Sequence, residues 1–210
     1  MIAEAALTSF IAALFSMMNP IGNIGVFAGM MAPRPDDEVM RTAWSSAVAI
    51  AITLLIVTWT GSAVMAFFGI NVDSLRAAGG VIVLIIGLHM LFNKSEHKQT
   101  ETEREDAQTR GSIAVVPIAI PIVAGPGTMA TVLVAAQQHE TLLGRAEIST
   151  VVIALSVLTG LLFSFSRPIS KWLGESGLGV VTRVMGVVLA AIAMGMLADG
   201  LKALLPGLAA

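Results

Sequence analysis

Met18-Asn19-Pro20-Ile21-Gly22-Asn23 is a polar, helix-breaking interruption inside an otherwise apolar first segment, and Ala124-Gly125-Pro126-Gly127-Thr128 echoes it in the second half. Pro20 and Pro126 stand 106 positions apart in a chain of 210, so the two breaks fall at corresponding places in equal halves. Proline inside a helix removes a backbone hydrogen bond and clashes with the carbonyl a turn earlier, and glycine adds freedom and allows close approach. In hydrocarbon the freed groups cannot stay unpaired, so irregular backbone survives there only when buried in protein or lining a cavity. Matched Gly/Pro-broken segments in two halves are how secondary transporters build a site near the bilayer midplane. One such break is commonly packing alone, since Pro and Gly are frequent in transmembrane helices; two at one offset point to a site.

Composition sets the frame. The chain is 56% hydrophobic and 12% charged, with a mean hydropathy of +0.85, which excludes an ordinary soluble domain and predicts a polytopic protein of the lipid bilayer. A net charge of −2 with no basic block argues against a nucleic-acid partner. The absence of cysteine excludes disulfides, zinc-thiolate sites and thiol catalysis. His89, His97 and His139 are too scattered for a metal cluster, and neither metal nor cofactor is expected. The N-terminus lacks the positive region of a cleavable signal peptide, so the first segment reads as retained.

Apolar runs long enough to span the hydrocarbon core fall at Ala5–Met31, Trp44–Ile70, Leu75–Phe92, Ile113–Gln137, Ile148–Phe165 and Val180–Leu204. The expected fold is all-α, with six transmembrane helices of which the first and fourth are broken. Asp36, Asp37 and Glu38 suit the first turn of the second helix. Residues 93–110 form the one long polar stretch, rich in charge, and read as a solvated cytoplasmic linker. Lysine and arginine set orientation. Arg34, Arg41, Lys94, Lys98, Arg104, Arg110, Arg167 and Lys171 lie in the odd-numbered connections, against Arg76, Arg145 and Lys202 on the other side. The linker is thus expected in the cytoplasm and both termini outside. Each half then holds three helices, so residues 111–210 are expected to repeat residues 1–92 upside down. Arg76 with Gly79 opens the third helix and Arg183 with Gly186 the sixth, both pairs offset by 107.

Asn19 and Asn23 share one face if the helix persists, and face the gap if it is broken at Pro20; either geometry offers donors and acceptors to a small polar solute. The competing reading is interhelical glue, on the order of 0.6 kcal/mol per hydrogen bond. Gly125, Pro126, Gly127 and Thr128 supply backbone, and a helix restarting near Thr128 would present amides and a positive end to a carboxylate. The candidate solute site is therefore Asn19, Pro20, Gly22 and Asn23 with Gly125, Pro126, Gly127 and Thr128. A solute with both carboxylate and ammonium, such as an amino acid, fits it. Gly25 and Gly29 read as a packing face within the bundle or between protomers of a homo-oligomer. Intramembrane ionisable residues are functional candidates, so Arg76, Arg183, Asp73, Asp199 and His89 are the candidates for gating or for coupling to a proton or sodium ion. Snorkelling to the interface competes for the arginines, an interfacial carboxylate for Asp199 and a packing role for His89.

These motifs, Asn-Pro-Ile-Gly-Asn in the first helix, Leu-Arg-Ala-Ala-Gly-Gly opening the third, Pro-Ile-Ala-Ile-Pro-Ile-Val-Ala-Gly-Pro-Gly-Thr from Pro117 to Thr128, and Thr-Arg-Val-Met-Gly opening the sixth, come in an order that resembles the MarC family. That family is also called the six-helix neutral amino acid transporter family, and the resemblance covers essentially the whole chain. It implies a bacterial or archaeal inner-membrane protein, with small neutral amino acids such as alanine and glycine as substrates of some members. The chain departs from the family pattern at Gly25, where proline is expected in many relatives.

The expected function is alternating-access transport of small neutral amino acids, in either direction, with export compatible. No Gly-x-x-x-x-Gly-Lys loop occurs, so uphill transport would draw on an ion gradient or a partner protein. No Gly-x-Ser-x-Gly or His-Glu-x-x-His arrangement points to an enzyme. The alternative is a channel or a regulatory membrane protein; saturable, stereoselective uptake favours the carrier and unsaturable conductance the channel.

Overall fold

The computed structural model describes residues 2, 4–32, 34–92, 123–205 and 207. The long elements among them are all helices: α1 Glu4–Met18, α2 Asn23–Met31, α3 Asp36–Phe68, α4 Val72–Phe92, α5 Pro126–Gln138, α6 Leu142–Ser164 and α7 Ser166–Leu204. Five stretches are long and apolar enough to cross a membrane: Ala6–Met31, Asp36–Phe68, Val72–Phe92, Leu142–Ser164 and Ser176–Leu204. The expected linker 93–110 and residues 113–122 of the fourth expected span lie outside the described residues. The first expected span, Ala5–Met31, is divided at its break into α1 and α2.

Helix ends follow local chemistry that apolar runs do not reveal. α3 starts at Asp36 rather than near Trp44, because Asp36, Asp37 and Glu38 sit in its first turn, at the positive end of the helix. Gly69, at φ 66°, terminates it in the left-handed conformation that favours glycine. α6 starts at Leu142, where the Thr141 hydroxyl accepts the Gly144 amide at 3.1 Å as an N-cap. The last helix reaches back to Ser166, beyond the expected Val180, but Gly174 at φ 62° and ψ 177° divides it into two pieces.

The first segment is central, with half of its most apolar window buried against 17% for the window in Ser176–Leu204. α1 packs on α5 and α7. One core gathers Leu14, Phe27, Met31, Ile50, Leu54, Val132, Ile148, Val152 and Phe163, and a second joins Met17 to Val83, Leu189 and Ala193. α4 and α7 run antiparallel in close contact. A Cβ on Gly80 would lie 2.8 Å from the Leu197 amide, one on Gly87 2.9 Å from the Ala190 amide, and one on Gly200 2.7 Å from the Ala77 amide. In lipid, where apolar side chains gain little by leaving their surroundings, such backbone approach is what holds two helices together. α3 and α6 are also antiparallel, with Trp59 Nε1 donating to Ser149 Oγ at 3.2 Å and Arg145 to Ser62 Oγ at 3.0 Å. Outward stripes such as Val48, Ile52 and Ile56 on α3 are exposed; on a polytopic membrane protein they are the lipid face.

Candidate functional site

The first break closes on its own side chains. Pro20 has no N–H, so the Ser16 carbonyl loses its helical donor, and α1 ends at Met18. Asn19 then turns into the left-handed region at φ 45°, which asparagine tolerates better than most residues. Its Oδ1 accepts the Gly22 amide at 3.3 Å, and its Nδ2 faces the Met90 sulfur at 3.7 Å. Asn23 Nδ2 donates to the Met18 carbonyl at 3.1 Å. The backbone resumes with the Asn23 amide on the Asn19 carbonyl at 3.1 Å. Residue 22 must be glycine for this to close, since a Cβ there would stand 2.4 Å from Asn19 Nδ2.

The second break is made of backbone. Gly125 is extended at φ −70° and ψ 178°, and Pro126 opens α5, a position where the missing N–H has no intrahelical partner to lose. Thr128 Oγ1 donates to the Val123 carbonyl at 2.8 Å and Thr131 Oγ1 to the Gly127 carbonyl at 2.9 Å. Both hydroxyls satisfy acceptors. The amides of Gly127 and Thr128 stand in the first turn of α5, where a helix has no internal acceptor for them, at an end carrying roughly half a positive charge.

The two breaks meet. Asn19, Gly22 and Asn23 from the first and Gly125, Gly127 and Thr128 from the second line one cavity of about 190 Å³. Met17 of α1, Val83, Ile86 and Met90 of α4, and Thr182 and Leu189 of α7 complete the wall. Every one of these side chains is uncharged. The volume is below the roughly 300–1,000 Å³ of sites that hold drug-sized ligands, and it suits a small solute. A larger groove of about 430 Å³ beside Leu161, Phe165, Ile169 and Trp172 is lined by apolar side chains only and includes neither break.

Six of the eight residues expected at the solute site thus line one cavity. Pro20 is buried beside it without lining it, and Pro126 stands in the first turn of α5. None of the five ionisable candidates is in the wall. Arg76 pairs with Asp73 at 3.4 Å in the first turns of α4. Arg183 is exposed inside α7 rather than at a helix entrance, and Asp199 and His89 are exposed. Gly25 does serve packing, with Leu178 against it, while Gly29 has open space around it. Thr182, whose hydroxyl donates to the Leu178 carbonyl at 2.9 Å, gives little signal in the sequence beside the more conspicuous Arg183. The α4 contributors Val83, Ile86 and Met90 give no signal, because an apolar side chain reads alike whether it faces lipid or a cavity.

A family model described as MarC family integral membrane protein matches residues 5–205. The chain is 34% identical to the UPF0056 membrane protein YvbG of Bacillus subtilis over 195 residues, covering 92% of each chain. It is 31% identical to the UPF0056 membrane protein YhcE of Escherichia coli over 200 residues, covering 95% of this chain and 93% of that one. A UPF0056 membrane protein of Pyrococcus abyssi is 30% identical over 189 residues, 90% of each. No solved structure matches the chain. Four ordered motifs, an all-helical bundle with long apolar spans and a match along nearly the whole length lead to one assignment: the chain belongs to the MarC family of integral membrane proteins.

Proposed function

We propose that this protein is a secondary carrier of small neutral amino acids, working by alternating access across the inner membrane, with both termini outside. The observation that carries the reading is the convergence of both breaks on one small, uncharged cavity. The solute carboxylate would sit at the Gly127 and Thr128 amides, at the positive end of α5. Its ammonium would sit toward the C-terminal end of α1, where carbonyls gather and the dipole is negative. With no formal charge among the described residues of the wall, a net charge on the solute would go uncompensated in a low dielectric, which favours a zwitterion over a cationic or anionic amino acid.

Residues 1–92 and 111–210 are proposed as inverted repeats joined by the linker 93–110. Supporting this are the antiparallel α4–α7 and α3–α6 pairs and the two left-handed glycines, Gly69 and Gly174, 105 positions apart. Asp73, Arg76, Arg183, Asp199 and His89 lie outside the cavity wall, so any part they play in ion coupling would be exerted at the helix ends. The test is uptake of radiolabelled alanine and glycine into proteoliposomes under imposed proton or sodium gradients. Gradient-dependent, saturable uptake that Asn19→Ala abolishes in inserted protein is the expected result. No uptake under any gradient sinks the amino-acid reading.

A further inference from the structure

α2 is a short arm with its two ends held in different ways. Its nine residues, Asn23–Met31, reach about 13 Å at 1.5 Å per residue. Asn23 at the near end lines the cavity. Met31 at the far end is fully buried, and its carbonyl accepts from Arg167 Nη2 at 2.8 Å. The same guanidinium donates to the Arg34 carbonyl and to the Asp36 carboxylate. Arg167 comes from the junction of α6 and α7, more than 130 positions along the chain. A guanidinium is suited to this place: its fork of donors can fill several acceptors at once, and the Met31 carbonyl, which also takes the Arg34 amide at 3.0 Å, lies at the negative end of α2. One turn closer to the cavity, Phe27 of α2 stacks on Phe163 of α6 with ring centroids 4.5 Å apart, both fully buried. Leu178 of α7 lies against Gly25, one turn from Thr182 in the cavity wall. Of the neighbouring charges, Arg34 pairs with Glu38 at 2.9 Å, and Asp37 and Lys171 are exposed.

The opposite half-helix, α5, has no such clasp among the described contacts. Near its far end Gln137 Nε2 faces the Met65 sulfur at 4.0 Å, and across the α3–α6 seam Arg145 donates to a neutral partner, Ser62. Asp36 is 91% exposed, so its ion pair is worth little on its own. The specific grip is the pair of charge-assisted bonds to backbone carbonyls, which no neighbouring side chain duplicates in the described contacts.

We propose that Arg167 is a latch that holds α2 closed over the cavity, and that α2 swings as a unit when the latch releases, opening the cavity at the end of the bundle that carries Met31 and Asp36. The proposal rests on the alternating-access reading given above. It is tested without transport, because the chain has no cysteine and a single Thr182→Cys reports the cavity. Its labelling by a membrane-impermeant maleimide is timed in vesicles of both orientations, with insertion checked by gel filtration in detergent. Combined with Arg167→Gln, which loses both charge-assisted bonds to the carbonyls, labelling from one face rises at least about tenfold, roughly 1.4 kcal/mol. Arg167→Lys, which keeps the charge but loses the fork, falls between, and carries the test if Arg167→Gln does not insert. Unchanged labelling from both faces in an inserted variant overturns the latch, and does so with the carrier reading intact if the parent protein still takes up alanine. Raised labelling in a protein that takes up no amino acid keeps the latch and removes the amino-acid reading.

Discussion

The two breaks solve the same problem with opposite means. At the first, side chains take over for the missing helix bonds: Asn19 Oδ1 holds the Gly22 amide and Asn23 Nδ2 the Met18 carbonyl. At the second, Thr128 and Thr131 satisfy carbonyls only, and Gly127 and Thr128 in the first turn of α5 line the cavity. The first break is therefore an elbow closed by its own amide side chains, and the second is a bare helix start without a side-chain cap. In a membrane interior irregular backbone is tolerable only where protein or a cavity surrounds it, and the proposed carrier reading puts the anionic end of the solute at the second break.

The largest effect is expected where that bare start is crowded. A Cβ on Gly127 would stand 2.7 Å from Val83 Cγ2 and 3.7 Å from the Met17 sulfur, so Gly127→Ala pushes α4 outward or fills the cavity. Overpacking of this kind costs about 1–3 kcal/mol, and uptake of labelled alanine should fall roughly 10- to 100-fold. Val83→Ala removes the clashing methyl, and the double variant should recover most of the loss. Gly127→Ala with uptake at the parent rate would show that the second break is not the anionic end.

Both breaks were legible in the sequence because proline and glycine inside an apolar run leave backbone groups that hydrocarbon cannot satisfy. Their meeting was legible only as a shared offset, and it took the packing of α1 on α5 and α7 to give it a volume. The ionisable candidates stand apart from the cavity wall. Charge is the most conspicuous mark in an apolar sequence, yet Arg76 needs only Asp73 at 3.4 Å and the end of its helix to be accommodated, and the cavity is walled by neutral groups. The division inside α7 was illegible because nothing local distinguishes Gly174, at φ 62°, from glycines that merely pack. In the sequence Arg167 is one positive charge among eight, since its three acceptors lie more than 130 positions away.

A middle-sized effect separates an elbow made of side chains from one made of backbone. Asn19→Ala loses the cap on Gly22, worth about 0.5–2 kcal/mol, and forces alanine into a left-handed backbone, about 1–2 kcal/mol more. Asn19→Gly loses the cap but relieves the backbone. Thr128→Val gives up one hydrogen bond to Val123, about 0.5–1.5 kcal/mol. Thermal melts in detergent should therefore rank Thr128→Val and Asn19→Gly above Asn19→Ala. If Asn19→Ala melts with the parent protein, the first break does not depend on its side chains and the contrast collapses.

The smallest effect distinguishes the two prolines. Pro126 opens α5, where its missing N–H has no internal acceptor and a fixed proline φ is already helical, so Pro126→Ala should leave stability within about 0.5 kcal/mol and uptake near the parent value. Pro20 withholds the N–H that would otherwise reach the Ser16 carbonyl. Pro20→Ala restores that donor and biases residues 19–22 toward continuous helix, which competes with the left-handed Asn19 and draws its amide away from Gly22. Pro20→Ala should thus keep or raise the melting temperature while lowering uptake, a split that simple destabilisation cannot produce. Equal behaviour of the two alanine variants, in both melting and uptake, would mean that the prolines merely mark the breaks and that Asn19 and the glycines alone create them.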